Sequence, residues 1–410
     1  MSTSATVAST APAQRPAEKR KRLSRPVAFA AIAAIFVTFT AASAAPSPLY
    51  VVYQRQWGFS ATTLTVIFAV YVAGLLAALL VLGALSDHVG RRPVLGAAIA
   101  LEAVSLVLFL TAGDVALLLA ARLAQGIATG AALTTLGAAL VDLNPPHAPG
   151  RAGLVSGIVP PAGLAVGALG CGALVQFAPS PTHLVYALLL TGMVLASLVV
   201  ARMPETVKRR PGGAASLVPR LGVPNRLRGD VFALVPIIVA SWALGGLYLS
   251  LGPSVAATVF GLSNHLIGGL VVTLLCGTGA ITAFTLRSWP TPRVLAIAGA
   301  MLTVGVTISM VGVQVDDVVL AAAGTLLSGV GFGASALASF GTLAALAAPD
   351  ERAELFTVAL VIAYVAFSVP AVIAGLATGA VGLHATTLVY GVVVAALSAT
   401  ALAAQRLRAR

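Results

Sequence analysis

Charge is what this sequence has least of. Asp, Glu, Lys and Arg make up 9% of its 410 residues, against about 25% in a typical soluble domain. So few charges cannot cover a water-facing surface, which excludes a soluble globule. Lysine is nearly absent, with Lys19, Lys21 and Lys208 the only three. Cysteine is confined to Cys171 and Cys276, both inside apolar stretches, so no disulfide framework or metal site is implied. The five histidines, at 88, 147, 183, 265 and 384, sit apart near the ends of apolar runs. They show no metal-ligand spacing, and no glycine-rich nucleotide loop is present. These absences argue against an embedded enzyme and against ATP hydrolysis. No polar segment is long enough for a sensor domain, and no cofactor is expected.

What is present is apolar sequence in long runs. Hydrophobic residues reach 59%. The runs lie at 27–50, 62–82, 94–112, 115–141, 152–176, 183–201, 231–254, 265–285, 294–313, 318–347, 356–378 and 385–404. Each is long enough to cross the hydrocarbon as a helix, for which about 20 residues suffice. A bilayer leaves backbone groups no water to bond, which favours helices over open strands. The expected fold class is therefore an all-α integral membrane protein of twelve transmembrane helices. The run at 318–347 exceeds what a span needs, so tilt or an extra turn is expected there. Pro160, Pro161, Pro236 and Pro370 fall inside runs, where membrane helices tolerate them.

Charge placement gives the orientation. With both termini on one side, 22 of the 24 Lys and Arg share that side, Arg55 lies opposite and Arg122 falls within a span. Positive residues in short connectors mark the cytoplasmic face, so a multi-pass protein of the cell membrane with cytoplasmic termini is expected. The net charge of +12 is spread over connectors, unlike the clustered basic face of a nucleic-acid binder. Residues 1–26 form a polar basic tail expected to be disordered, and 405–410 a short C-terminal tail. Ala42-Ser43-Ala44 after a basic and an apolar stretch also resembles a secretory cleavage site. Pro46 crowds that site, and cleavage would leave eleven spans and break the charge pattern.

The organisation is bipartite. The longest polar interruption, 202–230, separates six spans at 27–201 from six at 231–404. Weak internal echoes suggest duplication. Pro93-Val94-Leu95 opens the third run and Arg293-Val294-Leu295 the ninth; Gly126 and Gly130 in the fourth correspond to Gly329 and Gly333 in the tenth, 203 residues later. Parallel six-span repeats are a known transporter plan.

The most informative stretch is Gly83-Ala84-Leu85-Ser86-Asp87-His88-Val89-Gly90-Arg91-Arg92. Asp87 at the end of one helix and Arg91 and Arg92 at the start of the next oppose the local helix dipoles, so partners elsewhere must offset them. A snorkelling basic loop explains the arginines but not Asp87. The stretch resembles the loop signature G-x-L-[AS]-D-[RK]-x-G-[RK]-[RK] of the major facilitator superfamily, matched by Gly83, Leu85, Ser86, Asp87, Gly90, Arg91 and Arg92, with His88 departing from a basic residue. Arg122-Leu123-Ala124-Gln125-Gly126 is similar to the family's R-x-x-Q-G element in the fourth helix.

The resemblance implies two pseudo-symmetric six-helix bundles that rock about a central cavity. It implies a charge network of Asp87, Arg91, Arg92 and an acid ending the fourth helix, here Asp142. It also implies a contact of Asp87 with the start of the eleventh helix near Ala353-Glu354-Leu355, a latch that breaks when the cavity opens inward. Family usage of helices one, four, seven and ten nominates Gln125, Tyr50, Trp242 and Tyr248 as substrate-lining residues, with Thr38, Thr40, Thr129, Thr134, Ser328 and Ser335 beside them.

Ionisable groups inside spans are costly and mark function. Glu102 and Arg122 lie at similar depth, at about 1.5 Å per residue, and are expected to interact, with Glu102 the candidate for protonation or, alternatively, one half of a structural pair. The fifth run, Gly163 to Gly172, is reminiscent of an exporter element of the family, with Ala168 where Pro is expected and Cys171 replacing a Gly. Small residues at this spacing also simply permit close packing. A mostly neutral lining fits lipophilic or amphiphilic compounds. The expectation is a monomeric transporter driven by a proton gradient, exporting drug-like or metabolite compounds. Import or uniport of a sugar or other metabolite is the alternative.

Overall fold

The computed structural model describes residues 22–148, 150–219, 221–262, 264–348 and 351–408, apart from the side chains of 353 and 408. Most of the basic tail lies outside these residues. Among the described residues every regular element is helical. We number the long helices α1 (Arg25–Trp57), α2 (Ala61–Leu82), α3 (Arg91–Thr111), α4 (Val115–Asp142), α5 (Arg151–Phe177) and α6 (Pro181–Arg202). The second set is α7 (Arg228–Ser250), α8 (His265–Thr285), α9 (Thr291–Gln314), α10 (Val318–Leu346), α11 (352–381) and α12 (383–408). All have the length and hydropathy of membrane spans. The twelve expected spans are present, with two differences in detail. The first runs to Trp57 rather than residue 50, stepping at Ala45 before Pro46 and Pro48. The last two form one helical stretch interrupted at Gly382 (φ 82°, ψ 162°). That backbone conformation suits glycine and strains other residues, so a single residue replaces the expected loop.

Twelve crossings put both termini on one face, here the terminal face. Four helices starting from the opposite, far face are capped by side chains that accept orphan N–H groups. Ser60 caps α2 and Asp114 caps α4. Asn264 caps α8 and Asp317 caps α10, two hundred and some residues later. The same two helices of each half thus begin with the same device.

Interior contacts repeat as well. The first half packs α2 on α4, α3 on α4, α3 on α6 and α1 on α5; the second packs α8 on α10, α9 on α10, α9 on α12 and α7 on α11. A methyl group on Gly126 would collide with the Tyr71 carbonyl, and one on Gly130 with that of Leu75, both in α2. On α10, Gly333 meets the Gly279 carbonyl and Gly329 lies over that of Leu275, both in α8. Backbones approach this closely only where side chains are missing. In lipid, where apolar burial drives helix association weakly, such packing is what holds helices together. Consistently, large apolar residues such as Leu188, Leu195, Ile281, Ile373 and Val389 are exposed outward.

The two six-helix bundles meet through α5 against α8 and α2 against α11. A separate apolar cluster fills this junction, with Phe68, Tyr71, Val72 and Leu75 from the first bundle and Val272, Cys276, Phe367 and Ala371 from the second. Both cysteines are buried and unpaired.

Candidate functional site

Three arrangements carry the polar chemistry. The first is the loop at 83–92 on the terminal face. Residues Leu85–Val89 form one helical turn, and Gly90 (φ 111°, ψ 153°) reverses the chain into α3. Arg91, 6% exposed, pairs with Asp87 at 2.6 Å and with Asp142 Oδ2 at 3.0 Å, and donates to Ser86 Oγ at 2.6 Å. Arg92 donates to the carbonyls of Val200 (3.1 Å) and Ala201 (2.7 Å), the unsatisfied C-terminal end of α6. Arg25 donates to the carbonyl of Asp142 at 2.6 Å. Guanidinium groups therefore sit at the negative ends of α4 and α6, where cations are favoured.

The dipole problem at the start of α3 is solved by a residue that sequence reasoning passed over. Glu205, just beyond α6, accepts from the backbone N–H of Arg91 (2.9 Å, Oε1) and of Arg92 (3.0 Å, Oε2). Its carboxylate lies 2.9 Å from where a Gly90 Cβ would be, a second reason for glycine there. Thr206 donates to Asp142 at 2.7 Å, and Arg210 N–H to the His88 carbonyl at 2.9 Å. The available signal was that Glu205 is the single acid among seven bases in 202–228.

The second arrangement is buried inside the first bundle. Arg122 on α4 is 1% exposed, and Glu102 on α3 and Gln125 are fully buried. Gln125 stands between the two ionisable groups. Its Oε1 accepts from Arg122 Nη1 (2.5 Å), while its amide donates to Glu102 Oε1 and to the Ala42 carbonyl (3.1 Å each). Arg122 Nη1 also reaches the Ser43 carbonyl at 3.2 Å. Its guanidinium carbon lies 4.4 Å from the Tyr71 ring centroid and 5.8 Å from that of Tyr50, a cation–π cradle strengthened by desolvation. Tyr71 donates to Ser43 Oγ at 3.0 Å. Among the described residues, Glu102 Oε2 and the Ser47 hydroxyl are buried without a hydrogen-bond partner.

The third arrangement is the aromatic contact where the bundles meet. Trp242 on α7, partly exposed, lies edge-on to Tyr364 (4.9 Å) and Phe367 (5.8 Å) of α11, and Phe68 of α2 meets Phe367 at 5.0 Å.

The structure places the nominated residues as follows. Gln125 bridges Glu102 to Arg122, so the expected interaction of those two runs through its amide. Tyr50 is fully buried beside Arg122. Tyr248 turns into its own bundle, where its hydroxyl meets Thr325 (2.7 Å) and Ser309 (3.3 Å). Of the four nominated lining residues, only Trp242 packs against the apolar cluster at the junction of the bundles. The expected contact of Asp87 with α11 is not among the described ones; Asp87 pairs within its own loop, while Glu354 lies against Gly222, and the Ala353 side chain lies outside the described residues.

Among the described residues, hydrogen bonds between the bundles sit in the far half. Ser254 donates to Gln54 (3.4 Å), Thr62 to the Gly375 carbonyl (2.9 Å), His265 N–H to Gln176 (3.0 Å) and Thr273 to the Ala165 carbonyl (3.0 Å). These bonds hold the two bundles together at the far face.

Comparisons with known proteins agree with this architecture. The chain resembles a bacterial homologue of the human lysosomal transporter Spinster in an inward-facing, unoccupied conformation, at 13% identity and TM-score 0.72, over 94% of this chain and 98% of that one. It is similar to the human organic anion transporter MFSD10 (20% identity, TM-score 0.66, 95% and 100% covered). It is also similar to the nucleoside transporter NupG (12%, TM-score 0.68, 93% and 100%). No curated protein matches the sequence. The family model of the Major Facilitator Superfamily matches residues 27–371, so the chain belongs to that superfamily and is a membrane transporter rather than an enzyme.

Proposed function

We propose that this chain is a proton-coupled exporter of small lipophilic or amphiphilic compounds, working as a monomer in the cell membrane with both termini cytoplasmic. The observation that carries this reading is the buried chain Glu102–Gln125–Arg122. A carboxylate and a guanidinium held one amide apart in a bundle interior are costly to bury, and ionisable groups inside spans mark function by default. Their consequence is mechanical. Gln125 and Arg122 bond the carbonyls of Ala42 and Ser43 in α1, and the Ala41 backbone packs against Gly167 of α5. α5 in turn meets the second bundle through α8. A proton arriving on Glu102 removes the charge that Gln125 and Arg122 share. The hold on α1 then changes, and with it the seat of the bundle interface.

The substrate class follows from the walls. Phe68, Trp242, Tyr364 and Phe367 supply aromatic surface, suited to amphiphiles that need few polar anchors. Orientation rests on the 22 Lys and Arg that a terminal-face count collects. Both bundles and the junction between them reside in one chain, which supports a monomeric unit.

The test uses purified protein in liposomes with an imposed pH gradient, screened against lipophilic dyes, antibiotics and sugars. Substrate-dependent proton flux is expected with an amphiphile, opposite in sense to substrate movement. Glu102→Gln should abolish that flux and retain exchange of labelled substrate across the membrane. Proton-driven transport undiminished in Glu102→Gln would sink the coupling role, and proton and substrate moving together would assign import.

A further inference from the structure

The second bundle contains a cavity of about 140 Å³ between α7, α8, α9 and α10. No residue of the first bundle lines it, and neither do Trp242, Tyr364 or Phe367. It is therefore separate from the junction where transport is proposed. Its walls are aliphatic and aromatic, including Leu247, Phe260, Leu274 and Met310, and no charged side chain reaches it. An apolar cavity of about 150 Å³ is known to stay dry and to take a molecule the size of benzene.

One end of the cavity is polar. Tyr248, Ser309 and Thr325 all line it. Thr325 gives its proton to the Ala321 carbonyl at 2.9 Å, so the Tyr248 hydroxyl is the donor in their 2.7 Å contact. Ser309 is left with only a 3.3 Å contact to the Tyr248 oxygen, long for a hydroxyl pair, whose usual distance is about 2.7–2.8 Å. The Ser309 proton is thus weakly held and can turn to a ligand oxygen. The fourth polar lining residue, Thr387, bonds to its own helix.

The mouth opens on the outer surface of the second bundle near its far end, where Leu270 on α8 and Val318 at the start of α10 line the cavity and are each 40% exposed. Size, apolar walls, one hydroxyl cluster and an open mouth together define a ligand. We propose that this cavity is a second small-molecule site, taking an uncharged lipophile of phenol size that enters by this mouth and places its single oxygen on Ser309 and Tyr248. The site lies directly behind the far-face bonds. Gly252 and Val255 flank Ser254 on the short helix Gly252–Thr258, and Ile267 follows His265 in α8. An occupant there stiffens the two helices that must part when the far face opens, a consequence that rests on the transport reading above.

Binding tests the site without reference to transport. Full-length protein in lipid nanodiscs is titrated with 4-fluorophenol and, separately, fluorobenzene, observed by fluorine NMR, with empty nanodiscs as the partition baseline. Saturable binding of one molecule per chain is expected for both probes. Ala322→Phe, which fills the cavity, should remove it. Tyr248→Phe and Ser309→Ala, which preserve shape, should weaken 4-fluorophenol about five- to tenfold, the loss of one net hydrogen bond, and leave fluorobenzene unchanged. Only lipid partitioning in the wild type would overturn the proposal, as would equal binding by Ala322→Phe. Should Ala322→Phe not fold, the hydroxyl variants decide alone: no difference between the two probes refutes the site as described.

Discussion

The two halves of the molecule share one frame and fill it with opposite chemistry. The 203-residue offset that brings Gly126 onto Gly329 and Gly130 onto Gly333 also brings Arg122 onto Thr325 and Gln125 onto Ser328. In the first bundle a tyrosine of α1, Tyr50, lies beside Arg122; in the second a tyrosine of α7, Tyr248, bonds Thr325. The first half uses this place for a buried acid, amide and guanidinium. The second uses it for three hydroxyls and a cavity. What differs is ionisable charge: one shared frame carries a buried acid, amide and guanidinium in one half and neutral hydroxyls in the other.

The sharpest way to break this comparison is to delete the paired residues. Arg122→Met strands Glu102, loses the bond to the Ser43 carbonyl and empties the cradle of Tyr50 and Tyr71. Removing one partner of a buried charged set costs about 3–5 kcal/mol. Thr325→Val removes a neutral hydroxyl bond, worth about 1 kcal/mol. Thermal unfolding in detergent should therefore separate the two variants widely. Similar midpoints would mean that the charges in the first half are not under the strain their burial implies.

The shared frame predicts equality where the chemistry predicts difference. Gly126→Ala and Gly333→Ala each push a methyl group into a facing backbone carbonyl, overpacking that costs about 1–3 kcal/mol and occasionally more. Both should lower the unfolding midpoint alike. Gly137→Ala on α4 and Gly341→Ala on α10 meet nothing within 4 Å. These are the controls, and should be neutral or gain the roughly 0.5–1 kcal/mol by which Ala exceeds Gly in a helix.

The halves differ again on the terminal face. The loop before α3 is clamped by the linker through Glu205, Thr206 and Arg210. Its counterpart before α9 shows no such clamp among the described residues: Arg287 folds back over Phe284 of its own half at 4.1 Å, and α9 starts on Thr291 and Pro292, a proline that has no N–H in need of an acceptor. Glu205→Ala should cost about 0.5–2 kcal/mol, the usual value of a lost cap, and raise hydrogen exchange at Arg91 and Arg92. Unchanged exchange there would remove Glu205 from the role assigned to it.

How much of this was legible beforehand follows from which interactions are local. The spans were readable because hydropathy acts through nearest neighbours and the bilayer, and the glycine spacing because close helix contact needs small residues. The charge network of Arg91 with Asp87 and Asp142 was legible through the family signature. Gln125 and Tyr248 bond within their own bundles here, which a helix number alone does not reveal, since it does not say which way a side chain turns. Gln125 is three residues from Arg122, so it sits on the face toward α1 and α3 rather than toward the other bundle. Glu205 was missed because its partners lie 114 residues away in sequence, on backbone groups. Backbone donors leave no sequence pattern.

The smallest effect tests the linker's other anchor. In the second half the linker is held by an ion pair, Arg226 to Glu351, with Arg226 54% exposed. Water and salt screen such a pair, and exposed pairs are worth about 0.2–1 kcal/mol. The glutamate keeps a further bond, from the Ala348 N–H at 3.1 Å, so losing the arginine does not strand it. Arg226→Ala should therefore move the midpoint far less than Glu205→Ala, and the difference from wild type should shrink as salt rises. A deficit as large as that of Glu205→Ala, persisting in high salt, would mean that both halves are gripped equally. The asymmetry of the terminal face would then lie in the loops themselves rather than in the linker that joins them.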